Sequence, residues 1–319
     1  MKALWLEDQQ LRLREDLPKP QPGKGQARIR SLLAGICSTD LELLKGYYPF
    51  TGVLGHEFVG EVECCPEAPH LEGQRVVGEI NISCGSCFSC RAGRAKHCRQ
   101  RRTLGIHDWN GAFAEYFLLP INNLHLVPDA VSNQEAVFAE PLAAALEIQQ
   151  QVNVRPGDQV LVVGAGRLGQ LIAQTLALTG CALKVSARHP KQQQILRSRG
   201  IEVVSENQLP EGTQDLVIDA AGTPSGFTAA RQAVRERGMM VLKSTYAGDL
   251  EMDASSLVVD EITLIGSRCG PFPPALRLLE GKLVDPTALI ESAYPLVAWQ
   301  RAIDHAADQG VLKVVFKIA

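Results

Sequence analysis

The chain has 319 residues, of which 45% are hydrophobic and 21% are charged, and its formal net charge at pH 7 is −3. This length accommodates one large domain or two ordinary ones, and the composition excludes wholesale disorder. The near-neutral charge argues against a nucleic acid or an anionic membrane as the main partner. The one basic run, at 99–102, is interpreted as a solvated loop.

Nothing in the sequence indicates export or membrane insertion. The N-terminal residues carry charges at Glu7 and Asp8 and lack the apolar stretch of a signal peptide. A transmembrane helix needs about 18 or more consecutive apolar residues, and no such run occurs. We therefore expect a cytoplasmic protein, whose thiols stay reduced. The nine cysteines then need an explanation other than disulfides.

The pattern of apolar residues divides the chain into three regions. Residues 1–128 are predicted to form short, mostly antiparallel strands, including 27–33, 53–62 and 113–119. From about residue 130 to 270 strands alternate with helices, which predicts a parallel sheet covered by helices. Its predicted strands are 159–163, 182–187, 216–220, 239–244 and 262–267, with helices at 168–179 and 190–199. The tail is predicted to hold two helices and a last strand, 313–318.

Four cysteines lie within fifteen residues in the spacing C-x2-C-x2-C-x7-C: Cys84, Cys87, Cys90 and Cys98. Thiolates at these spacings can surround one Zn²⁺ tetrahedrally on a short loop. Two alternatives are unconnected cysteines and an iron–sulfur cluster, although the bacterial ferredoxin run has a gap of three before its last cysteine and a proline after it. His97 is an alternative fourth ligand. A zinc loop of this kind is often only a folding staple, so it does not establish an enzyme.

A second set of metal-binding residue types is spread along the chain. Cys37 and Asp40 lie in Gly-Ile-Cys-Ser-Thr-Asp, His56 follows Gly55, and Glu140 precedes a proline. Cysteine, histidine and glutamate can hold a zinc ion that keeps an open position, and Asp40 could orient the histidine. Without further context, Cys37 could equally be a buried small residue, Asp40 the N-cap of a helix over 41–46, and Glu140 a surface carboxylate.

The sequence Gly164-Ala165-Gly166-Arg167-Leu168-Gly169 fits the pattern G-x-G-x-x-G. It follows a predicted buried strand and opens a predicted helix, which is the context that a dinucleotide site requires. The glycines let the backbone approach a pyrophosphate, and the helix N-terminus supplies partial positive charge. A tight strand–helix turn without a ligand is the alternative.

The residues after the second strand of this region bear on the choice of cofactor. An NAD site usually has an acidic residue about 20 residues beyond the glycines, but no acidic residue lies between Asp158 and Glu202. Ser186, Arg188 and Lys191 are found there instead. A hydroxyl and cations suit a 2′-phosphate, so we predict NADP rather than NAD. The alternative is that the two cations face solvent at the start of a helix.

Together these motifs resemble one family, the zinc-containing medium-chain dehydrogenases/reductases, over essentially the whole chain. The resemblance rests on the segments 35–40, 55–57, 84–98, 111–116 (G-A-F-A-E-Y), 140–142 (E-P-L) and 164–169 in this order. It implies an α/β fold with a GroES-like, mostly β catalytic domain at 1–145 and a Rossmann domain, a doubly wound parallel sheet, at 146–268. It also implies that 269–319 returns to the catalytic domain, with the active site in the cleft between the two domains.

The resemblance further implies roles for individual residues. Cys37 and His56 match ligands of a catalytic zinc, and Glu140 stands in the setting of the sorbitol and threonine dehydrogenase branches. In those branches the glutamate after the histidine, here Glu57, is also a candidate ligand, so we expect the two glutamates to compete for the metal or share it. Thr39 matches the hydroxyl that relays the alcohol proton, and Asp40 matches the carboxylate behind the histidine.

The implied function is a zinc-dependent alcohol or polyol dehydrogenase that holds two zinc ions per chain. Some alcohol dehydrogenases of the family complete the proton path with a histidine where this chain has Glu42, so we expect the proton to leave through the cofactor ribose and Glu42 or by another route. The rival interpretations are a zinc-independent enone or quinone reductase and a nucleotide-sensing protein without catalysis. The family often forms dimers or tetramers. Candidate pocket residues, each of which could instead pack the β domain, are Tyr47, Tyr48, Phe50, His107 and Trp109. Arg268 and Cys269 follow the last Rossmann strand, where the family's chain passes the nicotinamide.

Overall fold

The computed structural model describes residues 1–245 and 249–318. The chain divides into two compact units. The first consists of Met1–Glu140 together with Phe272–Ala319, and the second is Pro141–Pro271.

The first unit is built around the strand Gln26–Gly35. This strand pairs antiparallel with Glu57–Cys64, with Tyr116–Pro120 and with the C-terminal strand Lys313–Lys317. Alternate residues of Gln26–Gly35, such as Ala27 and Ile29, are fully buried, as expected for a strand with one face in a core. The N-terminal and C-terminal parts of the chain therefore share one sheet.

The remaining elements of the first unit complete this sheet and flank it. Among the described residues, the same sheet contains Leu124–Leu126, Arg75–Gly78 and Ile290–Pro295. A smaller sheet joins Ala3–Glu7 to Gln10–Arg14 and Gly52–Val53, and Asn81–Ile82 pairs with Arg102–Thr103. The helices of this unit are Ser38–Leu44, Phe88–Arg91, Asn133–Ala136, Phe272–Glu280 and Trp299–Ala307.

The second unit is a parallel sheet with helices between its strands. In spatial order its described strands are Glu202–Val204, Ala182–Ser186, Gln159–Val163, Gln214–Asp219, Val234–Leu242 and Thr263–Gly266. The helices are Arg167–Ala177, Pro190–Ser198, Pro224–Ala233 and Ala254–Val259, and Ala139–Gln151 precedes the first strand. The strand order reverses at Gln159–Val163, and this switch point is where doubly wound sheets bind ligands, beyond the carboxyl ends of the strands.

The structure confirms the predicted alternation but shifts several bounds. The predicted strand 53–62 is two strands, Gly52–Val53 and Glu57–Cys64, separated by residues 54–56. Gly55 has φ of +97° and lies so close to Phe113 that a Cβ would clash with its ring. This left-handed residue ends the first strand and turns the chain into the second. The strand Ile290–Pro295 was not predicted, and no helix among the described residues has the length and apolar character needed to cross a bilayer.

Candidate metal and cofactor sites

The four-cysteine loop brings its sulfur atoms together. The Sγ–Sγ distances are 3.5 Å for Cys87–Cys90 and Cys84–Cys98, 3.8 Å for Cys87–Cys98 and 4.0 Å for Cys84–Cys90. A zinc ion bound tetrahedrally at about 2.3 Å places its sulfur ligands about 3.8 Å apart. The four thiols therefore fit a zinc ion in both number and spacing.

Backbone groups of the same loop favour thiolates at this site. The amides of Cys84 and Gln100 donate to the Sγ of Cys98, at 3.4 Å and 3.3 Å. The backbone amide of Ser86 lowers the pKa of Cys84 to about 6, whereas burial raises the pKa of Cys90. The thiolate is the form of cysteine that binds metal, so these hydrogen bonds favour the binding of a metal cation by the loop.

A second cluster forms where two paired strands end. In the antiparallel register Gly35 lies opposite Glu57, so Cys37 and His56, which lie just beyond these positions, meet at the same edge. One ligand atom from each of Cys37, His56 and Glu57 lies within 4.8 Å of the other two. Thiolate, imidazole and carboxylate are the donor set of catalytic zinc sites, so these residues fit a zinc ion.

Asp40 lies directly behind the histidine of this cluster. It is fully buried, and its Oδ2 accepts a hydrogen bond of 2.8 Å from the amide of Cys37. Its Oδ1 lies 3.4 Å from Nδ1 of His56. Burial lowers the pKa of His56, but the charges of Asp40 and Cys37 outweigh it and hold that pKa well above its ordinary value. Asp40 is not the N-cap of a helix over 41–46, because the helix begins at Ser38 with Cys37 as its cap.

Glu57 has a buried partner that the sequence did not reveal. The ammonium group of Lys313 donates to Oε2 of Glu57 and, at 3.3 Å, to the carbonyl of Ile36, and both charged side chains are only 2% exposed. A Cβ at Gly35 would lie 2.5 Å from the same carboxylate oxygen, so a larger residue there would displace the Glu57 side chain. The signal that could have indicated Lys313 is a lysine that opens an apolar strand, Lys-Val-Val-Phe.

The other residues predicted for this site occupy different places. The hydroxyl of Thr39 lies 3.8 Å from Sγ of Cys37. Glu42, one helical turn further, forms an ion pair of 2.8 Å with Lys45. Glu140 lies in the first turn of Ala139–Gln151 and is not part of the cluster formed by Cys37, His56 and Glu57. The structure therefore groups one of the two candidate glutamates with the cysteine and the histidine.

The candidate pocket aromatics differ in exposure and packing. Tyr47 and Tyr48 are 50% and 41% exposed, and the ring of Tyr48 meets the ring of His107 edge-on at 5.4 Å. Trp109 instead donates from its indole nitrogen to the carbonyl of Leu118 at 2.8 Å. Trp109 is thus held by the β domain, while the two tyrosines present aromatic surface to solvent.

The glycine loop of the second unit has the geometry that its sequence predicted. Gly164 has φ of +98° and touches the backbone of Ala221 so closely that a Cβ would clash, and a Cβ at Gly169 would meet the carbonyl oxygen of Gly164. Gly166 caps the helix Arg167–Ala177, and apart from its chain neighbours none of residues 1–245 and 249–318 has an atom within 4 Å of where its Cβ would be. Open space at a helix N-terminus suits a phosphate group, so the loop fits the pyrophosphate of a dinucleotide.

The second strand of this unit ends in Ser186, which is buried. Two residues further on, Nε of Arg188 donates to Oε1 of Glu206, and the two side chains are 57% and 48% exposed. The sequence pattern does not point to Glu206, because the acidic residue of an NAD site usually follows the second strand, whereas Glu206 follows the third.

Comparison with known proteins places these sites in context. Residues 23–129 match the alcohol dehydrogenase GroES-like domain family. The chain is 28% identical to a sorbitol dehydrogenase from Halalkalibacterium halodurans, over 93% of this chain and 92% of the relative. A structure described as a zinc-binding dehydrogenase from Sinorhizobium meliloti 1021, bound to NADP, superposes with a TM-score of 0.91 at 27% identity and covers 99% of this chain and 98% of its own. A structure described as a short chain alcohol dehydrogenase from E. coli CFT073, complexed with NADH, superposes with a TM-score of 0.90 at 28% identity. It covers 100% of this chain and 99% of its own.

Proposed function

Because this chain belongs to the zinc-containing medium-chain dehydrogenase/reductase family, we propose that it interconverts a secondary alcohol or polyol and its carbonyl compound with a nicotinamide cofactor. It is an oxidoreductase of the alcohol and polyol dehydrogenase class. The observation that carries the proposal is the cluster of Cys37, His56 and Glu57, with the hydroxyl of Thr39 beside it. Neither a zinc-independent reductase nor a non-catalytic protein is favoured, since neither requires this ligand set.

Cys37 and His56 would hold a zinc ion, which would supply Lewis acidity toward a substrate oxygen. The second unit would hold a nicotinamide cofactor, which would supply the hydride acceptor or donor. The side chains orient the metal ligands and transfer protons. The carboxylate of Asp40 favours the His56 tautomer with its proton on Nδ1, which leaves Nε2 free to bind metal. The hydroxyl of Thr39 can accept a proton from the substrate and pass it towards solvent.

The role of the glutamates is part of the proposal. Glu57 is a candidate metal ligand, because a carboxylate oxygen of Glu57 lies within 4.8 Å of the ligand atoms of Cys37 and His56. Its second partner, Lys313, limits how far it can move. We propose that Glu57 and Glu140 share the metal. The carboxylate of Glu57 also keeps its ion pair with Lys313, and the carboxylate of Glu140 supplies the remaining protein ligand. A further zinc ion on the four-cysteine loop, giving two per chain, is a structural staple that holds residues 84–98.

The cofactor proposal rests on the second unit. The glycines of the loop, Gly164, Gly166 and Gly169, together with Arg167 and Leu168 at the helix N-terminus, are proposed to bind the pyrophosphate. NADP is proposed as the preferred nucleotide because Ser186, Arg188 and Lys191 follow the second strand and no acidic residue lies between Asp158 and Glu202.

The proposed metal site and the proposed cofactor site belong to different domains. We propose that residues 1–145 and 269–319 carry the metal chemistry and that residues 146–268 bind the cofactor. The small-molecule substrate is an alcohol or a carbonyl compound, and the protein is proposed to form a homodimer or homotetramer. Reduced thiols, which both metal sites require, support a cytoplasmic location.

The test combines turnover with metal content. Purified protein is screened with NADP⁺ and NAD⁺ against alcohols and polyols, and with the reduced cofactors against the matching carbonyls. Zinc is counted by elemental analysis. Two zinc ions per chain and turnover that disappears in Cys37→Ala, with nucleotide binding retained, are expected. Cys181→Ala, which removes a half-buried thiol outside both clusters, is the matched control. Unchanged turnover in Cys37→Ala would overturn the role of this cluster.

A further inference from the structure

Arg188, proposed above to favour NADP, forms an ion pair with Glu206 in the second unit. In the parallel register Ser186 lies opposite Val204. Arg188 and Glu206 are each two residues beyond these positions, so the pair sits side by side past the carboxyl ends of two neighbouring strands. This is the edge at which doubly wound sheets bind nucleotides.

Glu206 supplies the carboxylate that the second strand lacks. In an NAD site an acidic residue accepts hydrogen bonds from the ribose hydroxyls, and in an NADP site a cation meets the 2′-phosphate instead. Here both groups are present, one from each strand, and they are bonded to each other. Both side chains are about half exposed, so water can hydrate each charge when the bond between them opens, and the opening costs little free energy.

We propose that Glu206 is a residue that determines cofactor specificity. It holds Arg188 when no nucleotide is bound, its charge opposes the 2′-phosphate of NADP, and it can accept a hydrogen bond from the ribose of NAD. The inference rests on the proposed cofactor site. It has a definite consequence: Glu206 keeps the preference for NADP low, because Arg188 must leave its carboxylate before it can bind the phosphate.

The experiment measures binding rather than turnover. Dissociation constants for NADPH and NADH are obtained from nucleotide fluorescence with the full-length, zinc-loaded protein. In Glu206→Gln the constant for NADPH should fall about three- to fivefold, while that for NADH stays unchanged or rises. In Arg188→Gln the constant for NADPH should rise about tenfold with little change for NADH. Raising the salt concentration should shrink the Glu206→Gln effect, because the interaction is exposed to solvent.

The matched control is Glu202→Gln. Glu202 opens the strand Glu202–Val204 that precedes Glu206, and it pairs with Lys184 at 3.4 Å. This variant therefore removes the same charge from a nearby position that does not contact Arg188. The ratio of the two dissociation constants should not change in it. An unchanged ratio in Glu206→Gln, or an equal shift in Glu202→Gln, would overturn the inference and leave the cofactor site intact. If the unmutated protein bound neither nucleotide, the proposed function itself would fail.

Discussion

Replacing Lys313 by methionine tests how firmly the cluster of Cys37, His56 and Glu57 is held. The change keeps most of the aliphatic stem and removes the ammonium group that contacts Glu57 and the carbonyl of Ile36. Both charged side chains are 2% exposed, so the carboxylate of Glu57 would remain buried without its cation. Breaking a buried ion pair on one side typically costs about 3–5 kcal/mol. We therefore expect Lys313→Met to lower the free energy of unfolding of the first unit by about this amount.

The protein carries its own probe for the measurement. The three tryptophans, Trp5, Trp109 and Trp299, all belong to the first unit. Their fluorescence during urea unfolding thus reports the unit that contains the mutation. With a urea dependence of about 2–3 kcal/mol per molar, a loss of about 3–5 kcal/mol should lower the midpoint by about 1–2.5 M.

The control and the rescue separate the ion pair from the loss of any lysine. Lys317 lies at the exposed end of the same strand, and Lys317→Met should change stability by less than about 0.5 kcal/mol. Adding Glu57→Gln to Lys313→Met should restore at least part of the loss, since the orphaned charge is then gone. Equal midpoints for Lys313→Met and Lys317→Met would refute the reasoning.

Three further outcomes are expected. Cys87→Ser should bind one zinc ion per chain fewer and unfold at lower urea, because the remaining thiols cannot close a tetrahedral site; a full zinc count would contradict this. Glu140→Gln should lower the affinity of the catalytic zinc without changing the structural one, as a chelator competition can show; equal losses from both sites would argue against its role. Asp215 accepts a hydrogen bond from the backbone amide of Gln159 and forms an ion pair with Arg235, and both interactions lower the pKa of its carboxyl group. Because the pKa of Asp215 is lower in the folded than in the unfolded protein, its carboxylate stabilises the fold at pH values above the unfolded pKa, and this stabilisation is lost as the pH falls. Asp215→Asn should therefore destabilise the protein at pH 7, and the difference in unfolding free energy between variant and parent should narrow below about pH 4. A difference independent of pH would exclude this linkage.

Features encoded in short stretches of sequence were predictable. The spacing of the four cysteines and the sequence of the glycine loop fix local geometry, because all the interacting groups lie within a few turns of chain. The alternation of strands and helices predicted the parallel sheet because a helix between two strands returns the chain so that both strands run in the same direction. The predicted strand 53–62 was wrong at Gly55, which has a positive φ and leaves no room for a side chain beside Phe113, a residue distant in sequence.

The partners of the charged residues were not predictable, because strand pairing supplies them. Lys313 is 256 residues from Glu57, and it reaches the carboxylate because its strand pairs with Gln26–Gly35. Glu206 is only 18 residues from Arg188, yet an acidic residue after a third strand has no recognised pattern. In both cases the register of neighbouring strands, rather than a motif, brings opposite charges together.

These two ion pairs differ in the property that decides what each can do. The pair of Glu57 and Lys313 is buried, so separating the charges strands each of them away from water, and the pair fixes the carboxylate beside Cys37 and His56. The pair of Arg188 and Glu206 is about half exposed, and water can replace either partner at small cost. A group that must hold a ligand set in place requires the first arrangement, and a group that must exchange one partner for a phosphate requires the second. Burial therefore favours a positioning role for Lys313 and an exchangeable, selective role for Glu206.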